Sequence, residues 1–186
     1  MEGMAVAAGA TLERRDGWNV ATSFPGPDHA AVVGFADVSF LRKTELQGEV
    51  GGTPSGMATR ADGAWRCVLT PERALIIGGG HSDGLDVTAA FCALTVVGPM
   101  ARETIARFCA LDLRPHATPV AGLRPGSVAR TPGFVIREAQ ERFLLLVGSA
   151  FGEYLWTVVA DTAGHLGGGP IGVDALPPLP EAIADA

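Results

Sequence analysis

Residues 86–115 read DVTAAFCALTVVGPMARETIARFCALDLRP, and this stretch decides the fold. Val87 to Val97 is almost wholly apolar, uncharged and rich in β-branched residues, the composition of a strand buried on both faces. Gly98-Pro99 ends it; a proline in the first turn of a helix has its φ preset and lacks only an N–H that would be orphaned there. From Ala101 the period becomes helical. Ala101, Ile105, Phe108, Cys109 and Asp112 fall on one face, apolar up to its last member, and Arg102, Glu103 and Arg107 fall on the other. Glu103 and Arg107 stand in the favourable order for an ion pair one turn apart, and Pro115 stops the helix. The reading is a strand–turn–helix unit in which Ile105 and Phe108 pack on the strand, and nothing in it has catalytic character.

The chain has 186 residues, enough for one domain with a sizeable core. Hydrophobic residues make up 47% and aromatics only 6%, so small apolar side chains must fill much of the interior. No apolar run approaches the roughly 18 residues of a membrane span. The opening MEGMAVAAGATLERR carries Glu2 and regains charge too soon to read as a signal peptide. Net charge is −6, and 13 of the 14 basic residues are Arg, scattered singly apart from Arg14-Arg15. No patch has the footprint of a nucleic-acid surface, although arginines suit bidentate pairing across a protein interface. Cys67, Cys92 and Cys109 are odd in number and embedded in apolar segments. They read as small buried hydrophobes of a reducing compartment, with no Cys-x-x-Cys to suggest zinc or redox work.

Taken in order, residues 1–33 are Gly-, Ala- and Pro-rich and read as an extended arm. GFADVSFLRKTELQGE (34–49) is strand-like with polar interruptions, and 49–64 reads as a flexible loop. A hairpin follows, Trp65–Leu69 and Arg73–Ile77 around Thr70-Pro71-Glu72, and GGGHSDG (78–84) links it to the central stretch. Beyond Pro115 a Pro- and Gly-rich loop runs to about Pro132. A second hairpin pairs Phe134–Arg137 with Arg142–Val147. Ser149 reads as the N-cap of a second helix with Phe151, Leu155, Val158, Val159 and Thr162 on its buried face. GHLGGGP ends that helix, and 177–186 is a Pro-rich tail outside the core. A weak internal repeat runs through this order. Asp37-Val38-Ser39 leads to Gly48 and Asp86-Val87-Thr88 to Gly98, each followed by a hairpin with Glu-Arg at its second strand, Glu72-Arg73 and Glu141-Arg142. The class is α+β, two duplicated ferredoxin-like βαβ-type halves with helices on one face.

Few motifs carry chemistry. Gly167-x-Gly169-x-x-Gly172 matches the dinucleotide string, but a helix precedes it and Pro170 removes a donor, so it cannot cradle a pyrophosphate. His81-Ser82-Asp83 holds the triad residue types, but adjacent side chains cannot converge in the required order. His29, His81, His116 and His165 sit in loops without metal-ligand spacing, so no metal site is expected. Lys43-Thr44 lacks the glycine loop of a phosphate-binding sequence. Arg130, at a loop-to-strand junction, reads as solvated rather than as a carboxylate or phosphate contact.

Several segments together resemble a known family. DVTAAFCALTVVGPMARETIARFCALDLRP is similar to the Asp-Val-(Ser/Thr), apolar strand, Gly-Pro-x-Ala-Arg, helix, Asp-Leu-x-Pro stretch of the folate-binding aminomethyltransferase superfamily. GSVARTPGFVI (126–136), FLLLVGSAFGEYLW (143–156), GGGPIGVDAL (167–176) and GFADVSFLRKTELQG (34–48) resemble its other segments, in the family's order. LTPERALIIG (69–78) resembles a turn of the gamma subunit of heterotetrameric sarcosine oxidase, as does the chain's length.

The resemblance covers about residues 34–176 and implies the superfamily's amino-terminal domain, a folate-binding-domain-like fold without the carboxy-terminal barrel domain. Members that act on folate use a carboxylate between the two Asp-Val-Ser/Thr segments. Here that stretch offers Glu49, Asp62, Glu72 and Asp83, none in a context that promises a buried carboxyl with a tuned pKa. No catalytic, cofactor-binding or metal-binding residue is therefore assigned. The resemblance implies a non-catalytic gamma-type subunit of a cytoplasmic sarcosine oxidase complex. Larger alpha and beta partner chains would carry FAD, FMN, NAD and tetrahydrofolate, and no nucleic acid or membrane would be involved. The alternative is a free-standing, single-domain folate-binding or aminomethyltransferase-like protein.

Overall fold

Phe91–Val97, the apolar core of the opening stretch, is the strand that fixes the layers of the molecule. Its side chains alternate between two interiors. Cys92, Leu94 and Val96 enter one hydrophobic core, while Ala93 enters another. Arg142–Gly148 beside it does the same, sending Phe143, Leu145 and Val147 one way and Leu144 and Leu146 the other. A strand with both faces buried needs a layer on each side, and the chain supplies two different ones.

The computed structural model describes residues 1–51, 56–80 and 83–179. In chain order the elements are α1 (Glu2–Ala7), β1 (Thr11–Arg15), β2 (Trp18–Ser23), β3 (Gly34–Asp37), β4 (Lys43–Gln47), β5 (Ala58–Ala61), β6 (Ala64–Thr70) and β7 (Arg73–Gly78). There follow β8 (Leu85–Asp86), β9 (Phe91–Val97), α2 (Ala101–Ala106), β10 (Leu123–Val128), β11 (Thr131–Ala139), β12 (Arg142–Gly148), α3 (Gly152–Gly164) and β13 (Gly169–Pro170). One sheet has the order β10-β11-β12-β9-β3-β13, antiparallel except for β13 against β3. The other has the order β5-β6-β7-β4-β8, and β1-β2 form a separate ribbon. Ala101, Ile105, Leu155, Trp156 and Val159 of α2 and α3 cover one face of the larger sheet. Trp65, Cys67, Leu75 and Ile77 of the smaller sheet cover its other face. The layers are helices, large sheet, small sheet, a strand-rich α+β arrangement.

Several expectations need correction. Residues 1–33 are not an extended arm: they hold α1 and the β1–β2 hairpin, whose Asp16-Gly17 turn has both residues at positive φ, as a two-residue hairpin requires. The loop expected over 49–64 contains β5 and a second such turn at Asp62-Gly63, while residues 52–55 lie outside the described residues. The loop expected from Pro115 to Pro132 contains β10, an edge strand where Pro125 costs no ladder bond. Val87 caps a short 3-10 turn, so the central strand begins at Phe91. α2 ends at Ala106 rather than reaching Pro115; Cys109 bridges to Val128, and Asp112 turns back to bind Arg114. Ser149 caps nothing, since a 3-10 turn intervenes before α3, and Phe151 is exposed while Trp156 and Ala163 are buried. Both expected hairpins, β6–β7 and β11–β12, are present.

Candidate functional site

A buried carboxylate lies between the two sheets, at the end of the second hairpin. In the β11–β12 ladder Arg137 faces Phe143 and Ala139 faces Arg142, so Glu138 is the extra residue of a β-bulge. The bulge turns Glu138 into the interlayer space, where only 3% of it is exposed. Trp65 Nε1–H donates to its Oε1 at 2.9 Å, and Arg142 Nε donates to its Oε2 at 2.8 Å. The Thr95 hydroxyl lies 3.5 Å from Oε2. The Arg60 guanidinium stacks 5.5 Å from the centroid of the Trp65 ring. Burial holds Arg60 below the usual arginine range, and the Glu138 charge opposes that shift.

Arg60, Trp65, Glu138 and Arg142 line a cleft of about 330 Å³ with Val38, Phe40, Leu176 and Leu179. Its roof is residues 173–179, so the start of the tail expected to lie outside the core in fact covers the cleft. Leu176 and Leu179 pack on the interlayer core, Arg142 Nη1 donates to the Pro177 carbonyl, and Asp174 takes two hydrogen bonds from Arg15 at 2.8 and 3.0 Å. A larger cleft of about 680 Å³ opens beside Phe40, but its charged lining residues Asp16, Arg42 and Asp86 all reach solvent. Arg42 and Asp86 there form an ion pair at 3.5 Å.

A second buried charge is Lys43, the chain's single lysine, which has no exposed surface. Its Nζ donates to the carbonyls of Ser39 and Leu41 at 2.8 and 2.7 Å. Burial lowers its pKa from 10.5 to about 8, against the opposing pull of Asp37.

The residues weighed from sequence lie elsewhere. Glu49, Asp62, Glu72 and Asp83 are all exposed, as their loop contexts suggested. Arg130 is exposed at the second position of the Ala129-Arg130 turn. His81 and Ser82 lie outside the described residues. His29, His116 and His165 are separate, and among the described residues no group of three His, Cys, Asp or Glu could hold a metal. Two glycines of the dinucleotide-like string serve packing: a Cβ on Gly169 would sit 2.8 Å from the His29 ring, and one on Gly172 1.8 Å from the Thr22 carbonyl oxygen. All three cysteines are buried and free, and burial pushes the Cys67 thiol up to about 12. Glu138 went unnoticed because a carboxylate near a turn ordinarily reads as solvated. Its place four residues before Arg142, inside an apolar hairpin, was the available signal.

Chemically, Glu138 is a closed ion pair. Both carboxylate oxygens are engaged by its own chain, and no imidazole or ionised thiol lies beside it among the described residues.

Helices on one face of a large mixed sheet, with a smaller sheet on the other, make a fold similar to those of solved sarcosine oxidase and aminomethyltransferase structures. One similar solved structure is the heterotetrameric sarcosine oxidase from Corynebacterium sp. U-96 in complex with pyrrole 2-carboxylate. A chain of it matches with TM-score 0.67 and 18% identity over 81% of this chain and 91% of that one. Another is the glycine cleavage system aminomethyltransferase T from Bartonella henselae, with TM-score 0.67 and 12% identity over 93% of this chain. The match spans 58% of that aminomethyltransferase's length. At these identities the likeness is one of fold. No protein-family model and no curated protein matches the chain.

Proposed function

We propose that this chain is a non-catalytic, gamma-type subunit of a heterotetrameric sarcosine oxidase complex. The observation that carries the reading is Glu138: the buried carboxylate of the cleft is ion-paired to Arg142 and hydrogen-bonded to Trp65 of its own chain, beneath a roof made by the chain's own residues 173–179. A domain whose cleft is closed by its own side chains is suited to a supporting role. The extent of the match to a chain of the sarcosine oxidase, 91% of that chain, supports the same reading. The complex would demethylate sarcosine oxidatively and pass the one-carbon unit to tetrahydrofolate, in the cytoplasm. FAD, FMN, NAD and folate would be held by the alpha and beta subunits. Residues 34–176 would form the folate-binding-like domain, built from two duplicated halves. Among the described residues no helix is long and apolar enough to cross a membrane. Co-expression with the larger chains followed by size exclusion tests the proposal. Co-elution at the mass of a complex is expected, and elution at 19.1 kDa alone overturns it.

The alternative, a free-standing folate-binding protein, draws on the existence of the cleft between the sheets. Calorimetry of the isolated chain with tetrahydrofolate separates the two. Saturable heat that disappears in Glu138→Gln would replace the subunit reading with this one.

A further inference from the structure

On the helix side of the large sheet, away from the Glu138 cleft, two arginines share one small cavity. Arg137 projects from β11 and is 4% exposed. Its Nη1 donates to the Thr118 carbonyl at 3.0 Å, its Nη2 to the Gln140 carbonyl at 2.8 Å, and its charge lies 5.7 Å from the centroid of the Phe143 ring. The buried Nε has no hydrogen-bond partner. Two carbonyls use two of the five N–H groups that a guanidinium offers. Burial holds Arg137 below the usual arginine range, and the nearby positive charge of Arg102 adds to that shift. Arg102 stands exposed on α2, and both side chains line a cavity of about 160 Å³ with Pro99, Pro115 and Gln140.

No ion pair within hydrogen-bonding reach neutralises this arrangement among the described residues. Glu103, beside Arg102 in sequence, pairs with Arg107. Glu141 sits on the cavity wall, yet among the described residues no ion pair engages Arg102 or Arg137. A desolvated cation without an anion is expensive, and a second cation at the same cavity increases the cost. The volume holds roughly five waters at about 30 Å³ each, room for a phosphate-sized ion and too little for a nucleotide.

We propose that this cavity is a binding site for a small oxoanion of phosphate size, held by the guanidinium groups of Arg137 and Arg102 that line it. The planar fork of a guanidinium matches two oxygens of such an ion, and a cavity walled partly by Pro99 and Pro115 strengthens the pairing by excluding water. The inference is independent of the subunit reading, because it concerns this chain's own residues.

The probe is inorganic phosphate, titrated into the purified chain at constant ionic strength with chloride as the balancing ion. The expected result is a saturable rise in Tm, with half-saturation in the low millimolar range or below and matching calorimetric heat. Arg102→Ala, at an exposed position, should keep the fold and weaken the response at least tenfold. Arg102→Glu should supply the missing negative charge itself, raising Tm without phosphate and removing the phosphate response. The proposal is overturned if the wild-type chain shows no saturable response, or if Arg102→Ala responds as the wild type does. It also fails if Arg102→Glu lowers Tm and still binds phosphate.

Discussion

The Ser39 hydroxyl accepts a hydrogen bond from the Ala93 N–H at 3.0 Å, tying the end of β3 to the start of β9. The other Asp-Val-Ser/Thr segment makes the same bond in the opposite sense: the Thr88 hydroxyl accepts from the Lys43 N–H at 3.0 Å. In both, the Asp carboxylate accepts from the N–H two residues on, Asp37 from Ser39 and Asp86 from Thr88, each at 2.9 Å. The valines between repeat the match, Val38 N–H to the Ala93 carbonyl and Val87 N–H to the Lys43 carbonyl, both at 2.9 Å. The two motifs are therefore matching clasps, one extending the β3–β9 pairing of the large sheet and the other the β8–β4 pairing of the small sheet, each where the chain leaves that sheet for the other.

Removing either hydroxyl should leave a buried backbone N–H without an acceptor. Ser39→Ala and Thr88→Val should each cost about 1–3 kcal/mol, and Thr88→Ser should cost far less because it keeps the acceptor. Urea unfolding midpoints measure this. Losses below about 0.5 kcal/mol in both variants would mean that the clasps add nothing.

Glu138 is 3% exposed and the Arg142 side chain 11%, so their pair is largely desolvated. Glu138→Gln keeps the volume but removes the charge, and one amide oxygen cannot serve both Trp65 and Arg142. The expected loss is about 3–5 kcal/mol, because Arg142 is left without its counter-ion. The first hairpin suggests the compensating change. Its bulge falls at Leu69, with Arg73 opening the next strand, as Glu138 and Arg142 do in the second. The double variant Glu138→Leu with Arg142→Met should accordingly recover most of the stability that Glu138→Gln loses. A double variant less stable than the single would show that the pair is favourable in itself.

How far the sequence carried this structure depended on where each signal lay. The central strand and both apolar hairpins were legible because period and composition agreed over many residues. The β1–β2 and β5–β6 hairpins were missed although Asp16-Gly17 and Asp62-Gly63 are strong turn signals; the strands TLERR, WNVATS and ATRA show no clear apolar alternation. The β10–β11 turn was hardly readable at all. Ala129 and Arg130 both take positive φ, a conformation that neither residue favours, held by the ladder on either side. Glu138 was hidden for a related reason, since a bulge sets its direction and bulges leave little trace in a single sequence.

The shortened α2 changes what its residues should contribute. Ile105 is fully buried, whereas Phe108 follows the helix and is half-buried at the edge of the core. Ile105→Ala should cost about 2–5 kcal/mol, and Phe108→Ala about 2 kcal/mol, below the usual range for a fully buried Phe. Arg107→Ala should cost only tenths of a kcal/mol, its pair with Glu103 being open to water. Chemical denaturation of the three variants checks the ranking, and a Phe108 loss exceeding that of Ile105 would reverse the core assignment.

Lys43 gives the stability of the chain a specific pH dependence. Its pKa is about 8 folded and 10.5 when unperturbed. Between these values the folded chain holds a neutral amine while the unfolded chain holds a charged one, so the unfolded state binds more protons and stability from this group rises with pH. Below pH 8 the buried charge costs about 3 kcal/mol, a cost relieved progressively up to pH 10.5. The cysteines act oppositely. Burial raises all three thiol pKa values, so above pH 9 the unfolded state loses protons that the folded state keeps. The wild-type curve alone would blend the two effects. Subtracting it from that of Lys43→Met leaves the lysine's share, and the gap should shrink by about 3 kcal/mol in the Met variant's disfavour between pH 8 and 10.5. A gap that stays constant across that range would mean that Lys43 titrates normally. Reductive methylation provides an independent check, because Lys43 is the only lysine and has no exposed surface. In the folded chain it should resist the reagent at pH 8.5, and in urea it should react fully.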